Sequence, residues 1–136
     1  MKIYLDNCCF NRPYDDQSHL RIRLEAEAKL EIQEQIRRGA IKLVWSYIMD
    51  YENNKNPFRE RREQISKWRM YATEDINEND EVLGIARMLR EQGVKKIDTL
   101  HIASAIHAGT DYFLTTDDGI LKKSLLIQEI QVTDPI

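Results

Sequence analysis

Apolar residues along the chain fall into short uninterrupted runs and longer segments in which they recur every three or four positions. The runs at residues 3–5, 41–45, 112–114 and 130–132 predict strands, and Ile3-Tyr4-Leu5 and Tyr112-Phe113-Leu114 are apolar throughout, as strands buried on both faces are. Over residues 19–38, Leu20, Leu24, Ala28, Ile32 and Ile36 recur at four-residue intervals among Glu, Lys and Arg. That pattern predicts a long amphipathic helix, with Ser18 as N-cap and Gly39 as terminator. A second helix starts at Ser46, carries Tyr47, Ile48, Tyr51 and Glu52, and is broken by Asn53-Asn54-Lys55-Asn56-Pro57. Residues 58–71 read as helical, 73–76 as a brief edge strand, and 79–92 as a strong helix with Val82, Leu83, Ala86 and Leu89 inward and Gly93 behind it. A further helix is opened by Asp98, with Ile97, Leu100, Ala103 and Ile106 on one face, and residues 119–123 form a short helical turn. Residues 11–16, with Pro13 and two Asp, read as a loop. Strands alternating with helices call for a parallel sheet covered on both faces.

Parallel strands place their carboxyl ends on one edge, where ligands bind in open α/β sheets. Asp6 and Asp117, which follow the first strand and the 112–114 strand, belong on that edge, and a helix leaving the second strand brings Glu52 there within two turns. Spacing alone does not carry Asp98 to it. Clustered carboxylates raise one another's pKa, a conflict that a divalent cation removes. Oxygen ligands without His or Cys favour Mg²⁺ or Mn²⁺ over zinc, and such an ion suits phosphodiester hydrolysis.

Several of these residues also admit plainer roles. Asp6 would serve as a turn residue, Asp98 as an N-cap, and Asp117 with Asp118 as a capping pair; Asp118 would equally replace or assist Asp117 as a ligand. Asp50 competes with Glu52, although two residues apart on a helix they cannot face the same way. His101, three residues after Asp98, reads as a packed, hydrogen-bonded side chain, Cys8 and Cys9 as small buried hydrophobes, and Asp111 as structural. Arg59, Arg61, Arg62, Lys67 and Arg69, with Trp68 or Tyr71 for stacking, would line an RNA path or form a solvated helix face diluted by Glu60 and Glu63.

The 136 residues suit one domain spanning residues 1–136, and the net charge of −3 gives no bulk basic field for nucleic acid, which disfavours a purely electrostatic binder. No apolar run approaches a signal peptide or the ~20 residues of a membrane span, and the adjacent cysteines make an unlikely disulfide and a poor zinc site. The expectation is a cytoplasmic protein.

The segments Ile3-Tyr4-Leu5-Asp6-Asn7, IDTLHIASA (residues 97–105) and LTTDDGIL (residues 114–121) resemble the PIN domain family, whose members include VapC-type toxins; the resemblance runs from Ile3 to about Lys123. It implies a three-layer α/β/α sandwich with a central parallel sheet. It also implies a Mg²⁺- or Mn²⁺-dependent ribonuclease acting on RNA, with Asp6, Glu52, Asp98 and Asp117 as its acids. Asn7 stands where many members carry Ser or Thr. A toxin role, an antitoxin protein as partner and homodimerisation follow from the resemblance alone. Haloacid dehalogenase-type chemistry wants an Asp where Cys8 stands, and a receiver domain wants adjacent acids where Asp6-Asn7 stand. The rival of another class is a PIN-like scaffold that binds RNA or protein without cutting.

Overall fold

The first strand is the middle of the sheet. β1 (Lys2–Leu5) pairs in parallel with β2 (Lys42–Ser46) on one side and β4 (Tyr112–Leu114) on the other, and β3 (Ala72–Ile76) and β5 (Gln131–Thr133) form the edges. The order is β3-β2-β1-β4-β5 in this computed structural model, which describes residues 1–136. Every pairing is parallel, and with helices on both faces the chain forms a three-layer α/β/α sandwich. The sheet order reverses direction at β1, so the gap beyond the carboxyl ends of β1 and β4 is the topological switch point where such sheets take ligands.

Register sets which residues meet on each face. Tyr4 pairs with Val44 and Phe113 across the sheet, and its ring stacks on Phe113 at 5.3 Å between centroids, 14° apart. On the same face lies α6 (Lys96–His107), which packs closely against α5 (Asp80–Glu91). Trp45 meets Phe10 of α1 (Asn7–Asn11) at 5.6 Å, and the Lys29 amine of α2 (Leu20–Arg37) lies 5.0 Å from that Phe10 ring. Strand alternation of period two thus divides the core between two helical layers.

The strands and most helix ends follow the apolar pattern, with Gly39 and Gly93 at positive φ of 77° and 93° behind α2 and α5. Four expectations are corrected. The segment 11–16 is loop only at Asp15 and Asp16: Asn11 ends α1, and Arg12–Tyr14 form a 3₁₀ turn in which Pro13 needs no amide hydrogen. The N-cap of α2 is His19, not Ser18, and the buried face of α2 is Glu25, Ala26, Lys29, Gln33 and Ile36, while Leu20 and Leu24 are exposed. The reason is geometric: at about 100° per residue, a four-residue spacing drifts about 40° per step, so Leu20 and Ile36 cannot share a face. Residues 58–71 divide into α4 (Arg59–Ser66) and a 3₁₀ segment at Lys67–Tyr71. Finally, α6 is buried on Thr99 and on His101 to Ala105, nearly all round, because small residues let it lie between α5 and the sheet.

Candidate functional site

Three of the four acids reach the carboxyl edge by a local device. Asp6 ends β1 and caps α1, its Oδ1 accepting from the Asn7 amide at 2.8 Å and its Oδ2 from the Thr115 hydroxyl at 2.8 Å. Ser46 ends β2 and caps α3 (Tyr47–Asn54), which places Glu52 in the second turn. Asp117 follows β4 and caps the short α7 (Asp118–Leu121), accepting from the Gly119 and Ile120 amides at 2.7 and 3.4 Å. Asp98 sits in the first turn of α6 but is not its cap, which is Lys95.

These four carboxylates line one cavity of about 280 Å³ together with Asn7, Cys8, Asn11, Arg12 and Asp15. Asp6 is buried, and burial first, then Glu52, raises its carboxyl above the ordinary range while His101, Thr115 and Cys8 pull it down. Burial, with Asp6 and Asp117 beside it, raises the half-buried Asp98 to about 6, against the opposing charge of His101. Arg12 faces the same cavity, but its cation already serves Glu25 at 3.1 Å and Asp15 at 3.0 Å.

His101 stands among the acids. It is fully buried, with Nε2 at 3.0 Å from Glu52 Oε1 and 4.0 Å from Asp6 Oδ1, and Nδ1 at 2.6 Å from the Tyr4 hydroxyl. Because Nε2 faces a carboxylate that only accepts, it carries a proton and donates it to Glu52. In the neutral ring, Nδ1 then accepts from Tyr4, whose burial keeps the phenol protonated; the Tyr4 oxygen lies 2.6 Å from Ser46 Oγ. Burial alone would lower the imidazole pKa, yet Glu52, Asp6 and Asp98 together raise it.

Ligand atoms of Asp6, Glu52 and His101 lie within 4.8 Å of one another, with His101 behind the wall and Asp98 and Asp117 lining it beside Asp6 and Glu52. Asp118 does not: its carboxylate is exposed and accepts from Arg21 at 2.8 Å. Asp50 also points elsewhere, accepting from the Trp45 indole at 3.0 Å, and Asp111 accepts from the Lys2 amide at 2.8 Å. Thr115, Cys8 and Arg12 were not singled out by the sequence as site residues. The signal for Thr115 and Cys8 was their separation of two residues from Asp117 and Asp6, and Arg12 had none.

The shared layout extends to a solved structure. Over 98% of this chain and 98% of the other, it matches a chain in the crystal structure of VapBC2 from Rickettsia felis bound to a DNA fragment from their promoter, with a TM-score of 0.65 and 14% identity. The fold is PIN-like. No protein-family model matches the sequence, and no curated protein matches it either. The PIN-like sheet therefore accounts for the meeting of Asp6 and Asp117, while His101, Arg12 and Asn7 are read from this chain's own contacts.

The residues fit a divalent cation on the chemistry of the donor set. Four carboxylates and the Asn7 side-chain oxygen, buried with no hydrogen-bond partner, are hard oxygen donors around one cavity. The Asp6 and Asp98 carboxyls are raised by burial first and by neighbouring carboxylates second, and the opposing charge of His101 offsets only part of this.

Proposed function

We propose that this chain is a metal-dependent endoribonuclease that hydrolyses RNA phosphodiester bonds, using Mg²⁺ or Mn²⁺. The carrying observation is that Asp6, Glu52, Asp98 and Asp117, spread along the chain from residue 6 to residue 117, line one cavity. The reading takes residues 1–136 as one PIN-like domain. Asp6, Asp98 and Asp117 would hold the ion, and Glu52 would complete the set directly or by orienting a water. Asp118 is left out because Arg21 engages it.

A bound divalent ion supplies Lewis acidity towards a phosphate oxygen and lowers the pKa of water for attack. The chain's residues do the rest. His101 holds Glu52 through Nε2–H, so the carboxylate faces the cavity in a fixed orientation. Asn7 offers its unpartnered oxygen as a further acceptor. Arg12, anchored through Nε and Nη1, retains guanidinium donors for a substrate phosphate. Asp117, fixed by two helix amides, cannot swing away from the wall.

One solved structure of similar fold is a VapBC2 assembly bound to DNA, and that likeness supports reading this chain as the toxin of a toxin–antitoxin pair with an antitoxin protein as partner; a homodimer as its assembly rests on the resemblance of its sequence to the PIN domain family. The test is cleavage of a labelled single-stranded RNA with Mg²⁺ or Mn²⁺, with and without EDTA, by the parent and by Asp6→Asn and Asp117→Asn. Loss of cleavage with EDTA and in both variants supports the reading. Cleavage that persists in the variants overturns it, and RNA binding without cleavage by the parent leaves the non-catalytic scaffold in its place.

A further inference from the structure

Beside the acid cavity lies a second one of about 470 Å³, lined by Tyr14, Phe58, Glu60, Arg61, Glu63 and Gln64. The Arg61 guanidinium carbon lies 4.5 Å from the Phe58 ring centroid and 5.4 Å from that of Tyr14. It is fixed from the other side, donating to Asp15 Oδ1 at 3.3 Å and to the Tyr14 carbonyl at 2.9 Å. The second oxygen of Asp15 accepts from Arg12 at 3.0 Å, and both Asp15 and Arg12 line the acid cavity. A single carboxylate therefore joins the two cavities.

We propose that this second cavity is a base-binding subsite, taking an unpaired nucleobase of the RNA strand whose phosphate enters the acid cavity. The proposal rests on the ribonuclease reading above and names a substrate feature, a base splayed out of any duplex. Phe58 remains 58% exposed and Tyr14 44% exposed, although a guanidinium already lies near both rings. Exposed aromatics beside an arginine form the platform on which single-stranded bases stack.

The charges around the cavity select the occupant. Asp15 neutralises Arg61, and Glu63 is paired with Arg59 at 2.9 Å, while Glu60 adds a negative charge with no partner cation. Such a lining repels a phosphate and accepts a neutral ring. Glu60 and Gln64 stand as acceptors for the exocyclic amino groups of a base edge. The rigid Arg12-Asp15-Arg61 chain fixes the spacing between base and phosphate. The basic side chains of α4 thus serve mainly as structural anchors, with Arg62 donating to the Asn56 carbonyl at 2.9 Å, and recognition passes to the aromatic rings.

The probe is a short unstructured RNA containing 2-aminopurine, whose fluorescence is quenched on stacking, with Ca²⁺ replacing Mg²⁺ to slow cleavage and a gel to confirm an intact strand. The parent should quench the probe, and an RNA of the same length with abasic sites should bind more weakly. Phe58→Ala and Tyr14→Ala should each lose quenching and raise Kd roughly five- to a hundred-fold, while Phe58→Trp restores both. Because Phe58 is an exposed residue, circular dichroism of its variants should match the parent. Equal Kd and quenching in parent and Phe58→Ala overturn the subsite while leaving the nuclease reading standing. A parent that neither binds nor cuts RNA overturns that reading and the subsite with it. A Phe58→Ala change confined to oligomeric state in sedimentation assigns the patch to protein contact and overturns the base.

Discussion

His101 joins the central strand to the second acid: its Nδ1 lies 2.6 Å from the Tyr4 hydroxyl and its Nε2 3.0 Å from Glu52. One buried ring thus transmits the position of β1 to α3, and the orientation of Glu52 depends on a side chain from α6. His101→Ala leaves the buried Tyr4 phenol with Ser46 alone, takes from Glu52 its hydrogen-bond donor and opens a cavity, which should cost about 2–4 kcal/mol. It should also weaken Mn²⁺ binding roughly ten- to a hundred-fold, as loss of an orienting neighbour does at metal sites. Urea denaturation and calorimetric Mn²⁺ titration measure the two effects. A variant with parental Mn²⁺ affinity would show that Glu52 needs no orienting ring.

The raised carboxyls fix the sign of a pH effect. Asp98, raised to about 6, binds more protons folded than unfolded, so the stability it contributes is complete below about pH 4 and is lost as pH rises through 6. Asp6, raised by burial, acts with the same sign, and His101, raised by its carboxylate neighbours, loses its contribution at higher pH still. Thermal midpoints of the metal-free protein should therefore fall between pH 4 and 6.5. For half-exposed Asp98, solvent screening leaves on the order of 1 kcal/mol of this change. Asp98→Asn should flatten the slope, and saturating Mn²⁺ should raise the midpoint most at the upper end of the range. A metal-free protein that gains stability over this window would contradict unneutralised charge at the site.

Asp117 serves both as helix cap and as cavity wall, and the two roles separate by substitution. Asp117→Asn keeps an oxygen to accept from the Gly119 and Ile120 amides, so its stability should stay within about 0.5 kcal/mol of the parent, while Asp117→Ala should lose about 1 kcal/mol. Both should lose divalent-ion binding to a similar extent, because both remove the charge. Chemical denaturation alongside Mn²⁺ titration checks the pair. An Asn variant that binds Mn²⁺ as the parent does would reduce Asp117 to a cap.

The contrast between what the sequence shows and what it hides follows the range of the interactions. β1 and β4 are legible because both faces are buried, which leaves an uninterrupted apolar run. With parallel strands inferred, Asp6 and Asp117 follow by topology alone. Asp98 does not, because its place depends on how α6 lies across the sheet, and the PIN resemblance supplied what spacing lacked. His101 lies three residues beyond Asp98 and so near its face, but only the register of α6 against Tyr4 aims its ring at Glu52. The inward face of α2 misled for a related reason. Its buried positions include Glu25 and Lys29, which hydrophobic patterning assigns to solvent, because Arg12 pairs with one oxygen of the first and aromatic rings cover the second.

Glu25 shows the energetic consequence of that hidden face. It is fully buried, and its cations are Arg12 at 3.1 Å and the more exposed Arg21 at 3.5 Å. Arg12→Ala should therefore destabilise by about 3 kcal/mol by leaving a buried carboxylate short of charge. Arg12→Ala with Glu25→Gln should recover a large part of that loss, because the remaining group is neutral. Urea denaturation of the single and double variants gives the coupling, and additive losses would show that Arg21 alone satisfies Glu25.

Lys29 should behave in the opposite sense. Its amine is buried 5.0 Å from the Phe10 ring centroid and 5.8 Å from that of Trp68, and burial lowers its pKa to about 7, with Cys9 opposing. A depressed folded pKa means that its contribution to stability is present above the unfolded value near 10.4 and is lost as pH falls through 7. At pH 7 the buried amine is thus about half protonated, and folding either desolvates an ammonium, only partly offset by the rings, or releases its proton. Lys29→Met keeps the length of the side chain and removes the charge, so it should stabilise by about 1–3 kcal/mol at pH 7. The gain should shrink steadily as pH rises from 7 towards 10, since less proton release is needed on folding as pH approaches the unfolded pKa of the amine. Urea denaturation across that range measures the difference, and a gain that does not change with pH would locate the benefit in packing and leave the titration of Lys29 with no part in it.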